Sequence, residues 1–157
     1  MRKLALLLTV LFCVSCSPSG GPSDQQLLIW ELLTTYGHIL TYAQDAKPAE
    51  YSLVSTSSPT YTVTHTFSTM TTADGSLADG TDAMTFTGTQ QPPASATFSM
   101  RIRTGSGGTE HTVYWEMNRV EGKPVFSNFT IDGVSYQEYV RELADFYEEA
   151  FWLPSLP

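Results

Sequence analysis

A change of hydrophobic period near Tyr51 constrains this chain more than any other feature. Beyond it, large apolar residues recur at every second position, the spacing of a half-buried β-strand. Tyr61, Val63, His65 and Phe67 alternate with Thr60, Thr62, Thr64 and Thr66. Met84 and Phe86 resume the pattern after a connection rich in Asp and Gly, and Ala96, Phe98, Met100 and Ile102 alternate with Thr97, Ser99, Arg101 and Arg103. Threonine is β-branched and suits a pleated surface that is half solvated. A sheet of such strands has one apolar and one hydroxyl face, so only the apolar face needs a cover.

The turns support the same pattern. Gly105-Ser106-Gly107-Gly108 is a four-residue loop that pairs Thr104 with Thr109. It sets Ile102 opposite His111, Met100 opposite Val113 and Phe98 opposite Trp115 on the inside, with Arg103 opposite Glu110 on the outside. A second hairpin at Glu121-Gly122 leads to Val125, Phe129 and Ile131 as inner residues, and Asp132-Gly133 ends the sheet.

Helices flank these strands. Ser23-Asp24-Gln25-Gln26 reads as a capping box with Ser23 as N-cap. The helix that it opens carries Leu27, Leu28, Trp30, Leu32, Leu33, Tyr36, Ile39 and Leu40, enough apolar residues for burial on more than one side, and Gly37 marks a point of weakness. Ser135-Tyr136-Gln137-Glu138 reads as a second capping box. Beyond it Tyr136, Tyr139, Val140, Leu143, Phe146, Tyr147, Ala150 and Phe151 make one apolar stripe, with Arg141 and Asp145 paired on the other side. The expected fold class is α+β: an N-terminal helix, an antiparallel sheet of about five or six strands in meander order, and a C-terminal amphipathic helix, with both helices on one face.

The front of the chain has a different character. Arg2 and Lys3 precede an uncharged run from Leu4 to Phe12 that is short of the ~20 residues a membrane-crossing helix needs. Cys13-Val14-Ser15-Cys16 resembles the lipobox of bacterial lipoproteins, with Cys13 at a position that is usually aliphatic. The resemblance covers residues 1–16 and implies a signal peptide over 1–15, a lipid on Cys16 and localisation to the cell envelope, in the outer membrane where the organism has one. Small residues at Cys13 and Ser15 also satisfy ordinary secretory cleavage after Ser15, so simple secretion stays open. Ser17-Pro18-Ser19-Gly20-Gly21-Pro22-Ser23 reads as a tether that spans at most ~25 Å, so 16–23 is lipidated Cys plus tether and 24–157 a single domain.

Composition narrows the partners. The chain carries a net charge of −8, and loss of Arg2 and Lys3 with the signal leaves six basic residues against sixteen acidic ones. Nucleic acid is an unsuitable partner, since no basic stripe exists to neutralise phosphate. The two cysteines are Cys13 and Cys16, so the domain offers no disulfide, cysteine-ligated zinc or cysteine nucleophile.

No catalytic residue, cofactor or metal ligand is assigned from the pattern. His65 and His111 are expected to point inward and are the candidates for a general base in a hydrolase or isomerase, yet neither has metal-ligand spacing. His38, on the first helix, has less support. Asp74 to Asp82 concentrates carboxylates and glycines but lacks the ligand order of an EF-hand, and it reads as a hairpin connection. Ser106 lies in a strand-to-strand turn, the wrong setting for a G-x-S-x-G nucleophile. Asn128-Phe129-Thr130 matches a glycosylation sequon, which carries no information in a lipoprotein of bacterial type.

Tyr36, Tyr42, Tyr61, Trp115, Phe129, Tyr139, Tyr147, Phe151 and Trp152 are the aromatics from which a pocket for an apolar ligand would be built, although core packing explains most of them. The apolar C-terminal run from Phe151 to Pro157 reads as a tail that docks on the domain or forms an apolar patch for a partner or the bilayer. The leading expectation is an anchored, non-enzymatic module that binds or scaffolds another envelope component. The alternatives are a carrier or sensor of an apolar small molecule, and an envelope enzyme using His65 or His111.

Overall fold

The computed structural model describes residues 22–56, 60–87 and 93–151, with side chains described to Asp145. Helix α1 spans Asp24–Ala46, and the capping box forms as expected: Gln26 N–H donates to Ser23 Oγ at 3.2 Å and Ser23 N–H to Gln26 Oε1 at 3.0 Å. The helix passes through Gly37 unbroken. It buries one broad stripe, Ile29, Leu32, Leu33, Tyr36, Ile39 and Ala43, instead of several sides, and Leu27 and Tyr42 stay exposed. Lys47 closes it in a left-handed conformation, its N–H donating to Ala43 O at 2.9 Å.

Seven strands follow in sequence order: β1 Tyr51–Thr56, β2 Thr60–Thr71, β3 Leu77–Thr87, β4 Ser95–Arg103, β5 Glu110–Val120, β6 Lys123–Ile131 and β7 Val134–Ser135. Each pairs with its neighbour antiparallel, so the fold is the expected α+β meander with slightly more strands. Ile102 lies opposite His111, Met100 opposite Val113, Phe98 opposite Trp115 and Arg103 opposite Glu110, as the glycine loop requires. The Glu121-Gly122 turn has two positive φ values, 50° and 81°, the twist-matched geometry of a two-residue hairpin.

Four expectations need correction. The connection after β2 is shorter than Asp74 to Asp82, because β3 begins at Leu77 and takes Asp79 and Asp82 into the sheet. Val125 is 48% exposed and Phe126 takes the inner position. The reason is a bulge: the register slips between Tyr114 and Glu116, and Asn128 adopts φ 56°, which reverses the phase of β6 before Phe129 and Ile131. A second bulge after Phe67, with Thr69 at φ 53°, brings Met70 back inside. Asp132-Gly133 does not end the sheet but turns into β7.

The fourth correction concerns the second capping box. Ser135 belongs to β7, Gln137–Tyr139 form a single 3₁₀ turn, and helix α2 begins only at Val140 and runs to Phe151. Gln137 instead reaches back to the sheet, where its amide donates to Phe126 O at 2.9 Å and accepts from Phe129 N–H at 3.2 Å. These are backbone groups on either side of the β6 bulge, where pairing with β5 is interrupted. A glutamine that bridges them holds the bulge and cannot also start a helix.

The core lies between the sheet and the helices on its inner face. Leu53, His65, Asp82, Phe98 and Trp115 form one row across β1 to β5. Tyr36 of α1 lands on that row, edge-on to Phe98 and Phe67 at centroid distances of 4.9 and 6.1 Å. Phe98 stacks on Trp115 at 5.1 Å, and Trp115 meets Phe126 edge-on at 5.5 Å. Leu143 anchors α2 in the same core, and Gln26 donates to Glu142 at 2.8 Å across the helices.

Candidate functional site

Two polar groupings stand out, one sealed and one open. The sealed one sits under α1. Asp82 is 1% exposed, and burial pushes its carboxyl up to about 6, opposed by the hydrogen bond from Tyr36. Tyr36 Oη donates to Asp82 Oδ2 at 2.6 Å, while Oδ1 is buried without a hydrogen-bond partner among the described residues. His65 lies directly across the strand pair from Asp82. Its Nδ1 is 2.8 Å from Tyr51 Oη, and burial lowers its pKa to about 4, so the ring is neutral at pH 7. The Tyr51 phenol is in turn raised, first by its burial and then by the Asp82 charge, with a side-chain hydrogen bond to Gln44 acting the other way.

The open grouping is a cleft of about 360 Å³ where the middle of α1 faces two turns. Thr35, His38, Ile39 and Tyr42 come from the helix, Thr72, Ala73, Asp74 and Ser76 from the β2–β3 turn, and Thr104 from the β4–β5 turn. The turn is built from its own side chains. Asp74 accepts from the Thr72 hydroxyl and from Ser76 N–H, and its other oxygen accepts from Ser76 Oγ at 3.0 Å. Those bonds, led by the Thr72 hydroxyl, hold its carboxyl below the usual carboxylate range. Ser76 Oγ also accepts from Gly105 N–H at 3.0 Å, which ties the two turns together, and Thr35 and Thr104 share a hydroxyl contact of 2.8 Å. Tyr42 is 44% exposed beside these hydroxyls, so the cleft offers a ring face, donors and a fixed carboxylate at one opening.

The residues singled out from sequence are thus dispersed. His65 is in the core as expected. His111 takes the inner phase of β5 as well, but at the sheet end, where it is half-buried with Nδ1 2.7 Å from Asp132 Oδ2, an ion pair when the ring is protonated. The two rings belong to β2 and β5, three strand spacings apart, or about 14 Å, and do not meet. His38 is exposed on the cleft wall. Asp74, Asp79 and Asp82 diverge: the first is in the turn, the second pairs with Arg101 at 2.8 Å and the third is in the core. Among the described residues no three His, Cys, Asp or Glu side chains come close enough to hold a metal ion.

Ser106 packs against the β2–β3 turn, where a Cβ on Gly75 would come within 2.6 Å of it. Tyr36, Trp115 and Phe129 are core residues, and Tyr61 and Tyr139 pack against the core. Cys16, Trp152 and the run to Pro157 lie outside the described residues, as do the side chains of Tyr147 and Phe151.

Asp82 is the residue that sequence reasoning missed. The signal was present, because the phase of Met84 and Phe86 extended two residues back makes Asp82 an inner residue. Comparison with known proteins gives no match to any family model, curated protein or solved structure. The functional reading therefore rests on the residues themselves.

Proposed function

We propose that this chain is a lipid-anchored lipoprotein of the bacterial cell envelope whose domain is a non-enzymatic binding module for another envelope component. In this reading Cys16 carries the lipid, residues 17–23 keep the domain near the bilayer, and the outer membrane is the destination where the organism has one. The anchor does the localising, since a domain this acidic is repelled by anionic head groups. No helix among the described residues is long and apolar enough to cross a membrane.

The observation that carries the binding role is the cleft between α1 and the two turns. It gathers hydroxyls, a carboxylate and an exposed ring from three separate segments, while the buried histidine and aspartate are closed off beneath the helix. Its chemistry suits a partner that offers hydrogen bonds and one ring or apolar edge for Tyr42. The ring packing of Tyr36, Phe67, Phe98 and Trp115 weighs against a carrier of apolar small molecules. The burial of His65 and the pairing of His111 weigh against a hydrolase or isomerase that uses either.

Two measurements test the proposal. Labelled palmitate enters the wild type in cells and is lost from Cys16→Ser; a wild type that takes up no label removes the anchor. A photo-crosslinking residue at Tyr42 traps one reproducible envelope component, whereas the same group at Thr97, exposed on the far face, traps none. The binding role falls if position 42 behaves like position 97.

A further inference from the structure

Among the described residues strand β1 is one edge of the sheet, and its backbone is oriented for a further strand. Ser68 N–H donates to Glu50 O at 2.8 Å, and the register continues with Tyr51 opposite Phe67. Bonded and unbonded pairs alternate along an antiparallel ladder. Ser52, Val54 and Thr56 therefore turn their backbone groups toward β2, and Tyr51, Leu53 and Ser55 turn theirs outward. The Tyr51 N–H folds back to Pro48 O at 3.1 Å, which among the described residues leaves its carbonyl and both groups of Leu53 and Ser55 along the edge.

Among the described residues the edge lacks the usual guards. Natural sheets protect exposed edges with lysine, proline, a bulge or brevity. From Tyr51 to Thr56 there is no charge, no proline and no bulge, and Leu53 and Val54 are 51% and 55% exposed on opposite faces. The opposite edge follows the rule, since β7 has only two residues. In a chain of net charge −8, this uncharged stretch is a place where two copies can approach without facing carboxylates.

We infer that β1 is a self-association edge at which two copies of this chain pair β1 against β1, antiparallel, about a two-fold axis normal to the sheet. The register follows from the backbone. Outward groups meet only if odd residues face odd residues, and centring on Leu53 uses all three: Leu53 opposite Leu53 and each Tyr51 opposite a Ser55. Leu53 then bonds its own copy in both directions, and Ser55 N–H donates to the Tyr51 carbonyl of the other chain. The two leucines cover each other on the helix-bearing face, at the end of the row that continues through His65 and Asp82. An axis normal to the sheet keeps α1 and α2 of both copies on one side, as two chains held in one leaflet require. That last point rests on the proposed lipid anchor, whereas the pairing does not. Confinement to a membrane would raise the effective concentration of such a short interface.

The test is the mass of the full-length protein in a density-matched nonionic detergent, by sedimentation equilibrium, for the wild type, Ser55→Pro and Leu53→Lys. Ser55→Pro deletes an outward N–H and spares the bonds to β2; Leu53→Lys sets two like charges face to face. The wild type sediments as a dimer, and each variant raises the dissociation constant tenfold or more with an unchanged circular dichroism spectrum. If one variant fails to fold, the other decides. Under mild oxidation Leu53→Cys cross-links to its copy and Val125→Cys, equally exposed but far from β1, does not. A wild type that stays monomeric at several hundred micromolar overturns the inference. So does a dimer that survives both edge variants, or cross-linking that is equal at positions 53 and 125.

Discussion

The Tyr36 hydroxyl donates across 2.6 Å to Asp82 Oδ2, a carboxylate that the fold has taken almost entirely out of water. Its other oxygen has no hydrogen-bond partner among the described residues. One hydrogen bond does not offset that desolvation, which is why the carboxyl rises to about 6.

A pKa raised on folding stabilises at low pH. The contribution of Asp82 is fully present below the unfolded value near 4 and is lost as pH rises through about 6. A shift of this size corresponds to about 3 kcal/mol. Asp82→Asn, which keeps an acceptor for Tyr36, is therefore expected to be more stable than the wild type by about 1–3 kcal/mol at pH 7.5, a gap that is about halved at pH 5. Urea unfolding at the two pH values checks this, and a gap that does not depend on pH would refute the assignment.

His65 has the opposite slope. Its folded pKa of about 4 lies below the unfolded value of 6.5, so its stabilising contribution is present above 6.5 and is lost as pH falls toward 4. Relative to His65→Gln, the wild type should lose about 1–2 kcal/mol between pH 7 and pH 4.5, a figure reduced for the ring's incomplete burial. Between about pH 4 and 6 the two buried groups offset each other, and the wild-type curve is flatter than either variant's. The His65 ring protons followed by NMR should show no titration near pH 6.5; a midpoint there would place the ring in solvent.

Gln137 tests the bulge. Replacement by alanine removes the bonds to Phe126 O and Phe129 N–H and should cost about 1 kcal/mol. The specific signature is faster hydrogen exchange at the Phe129 amide, with the Val113 amide on the neighbouring strand little changed. Equal acceleration of both would mean general loosening and no bridging role.

Gly80 and Gly37 make an opposed pair. Gly80 has φ 136°, and a Cβ there would meet Ser99 O at 2.2 Å, whereas a Cβ on Gly37 meets nothing within 4 Å. Gly80→Ala should lose about 2 kcal/mol or more, because backbone on the neighbouring strand must move. Gly37→Ala should gain about 0.5–1 kcal/mol from helix propensity alone. Thermal melts of the two variants are expected to shift in opposite directions.

The legible part of the fold lies where periodicity and turn chemistry agree. β4 and β5, joined by the Gly105-Ser106-Gly107-Gly108 loop, have the register read from loop length, and Ser23 with Gln26 caps α1 as its spacing suggests. Val125 and the start of α2 escape the sequence pattern because each depends on a bulge. One extra residue at Asn128 reverses the phase of β6, and Gln137 is drawn back to hold that bulge instead of entering a helix. The cleft is invisible in sequence, since its lining comes from segments about 30 residues apart that converge only when α1 crosses the sheet.

The sequence by itself determined the α+β class, the antiparallel meander and the division into a hydroxyl face and an apolar face, because alternation, turn residues and a helix cap are local and each acts within a few residues. Tertiary structure alone decided that Asp82 is sealed against Tyr36, that His65 and His111 never meet, that Thr35, Asp74 and Thr104 share one opening, and that β1 is an edge among the described residues. Those outcomes depend on how helices and strands far apart in the chain are brought together, and on how much water that packing excludes around each polar group.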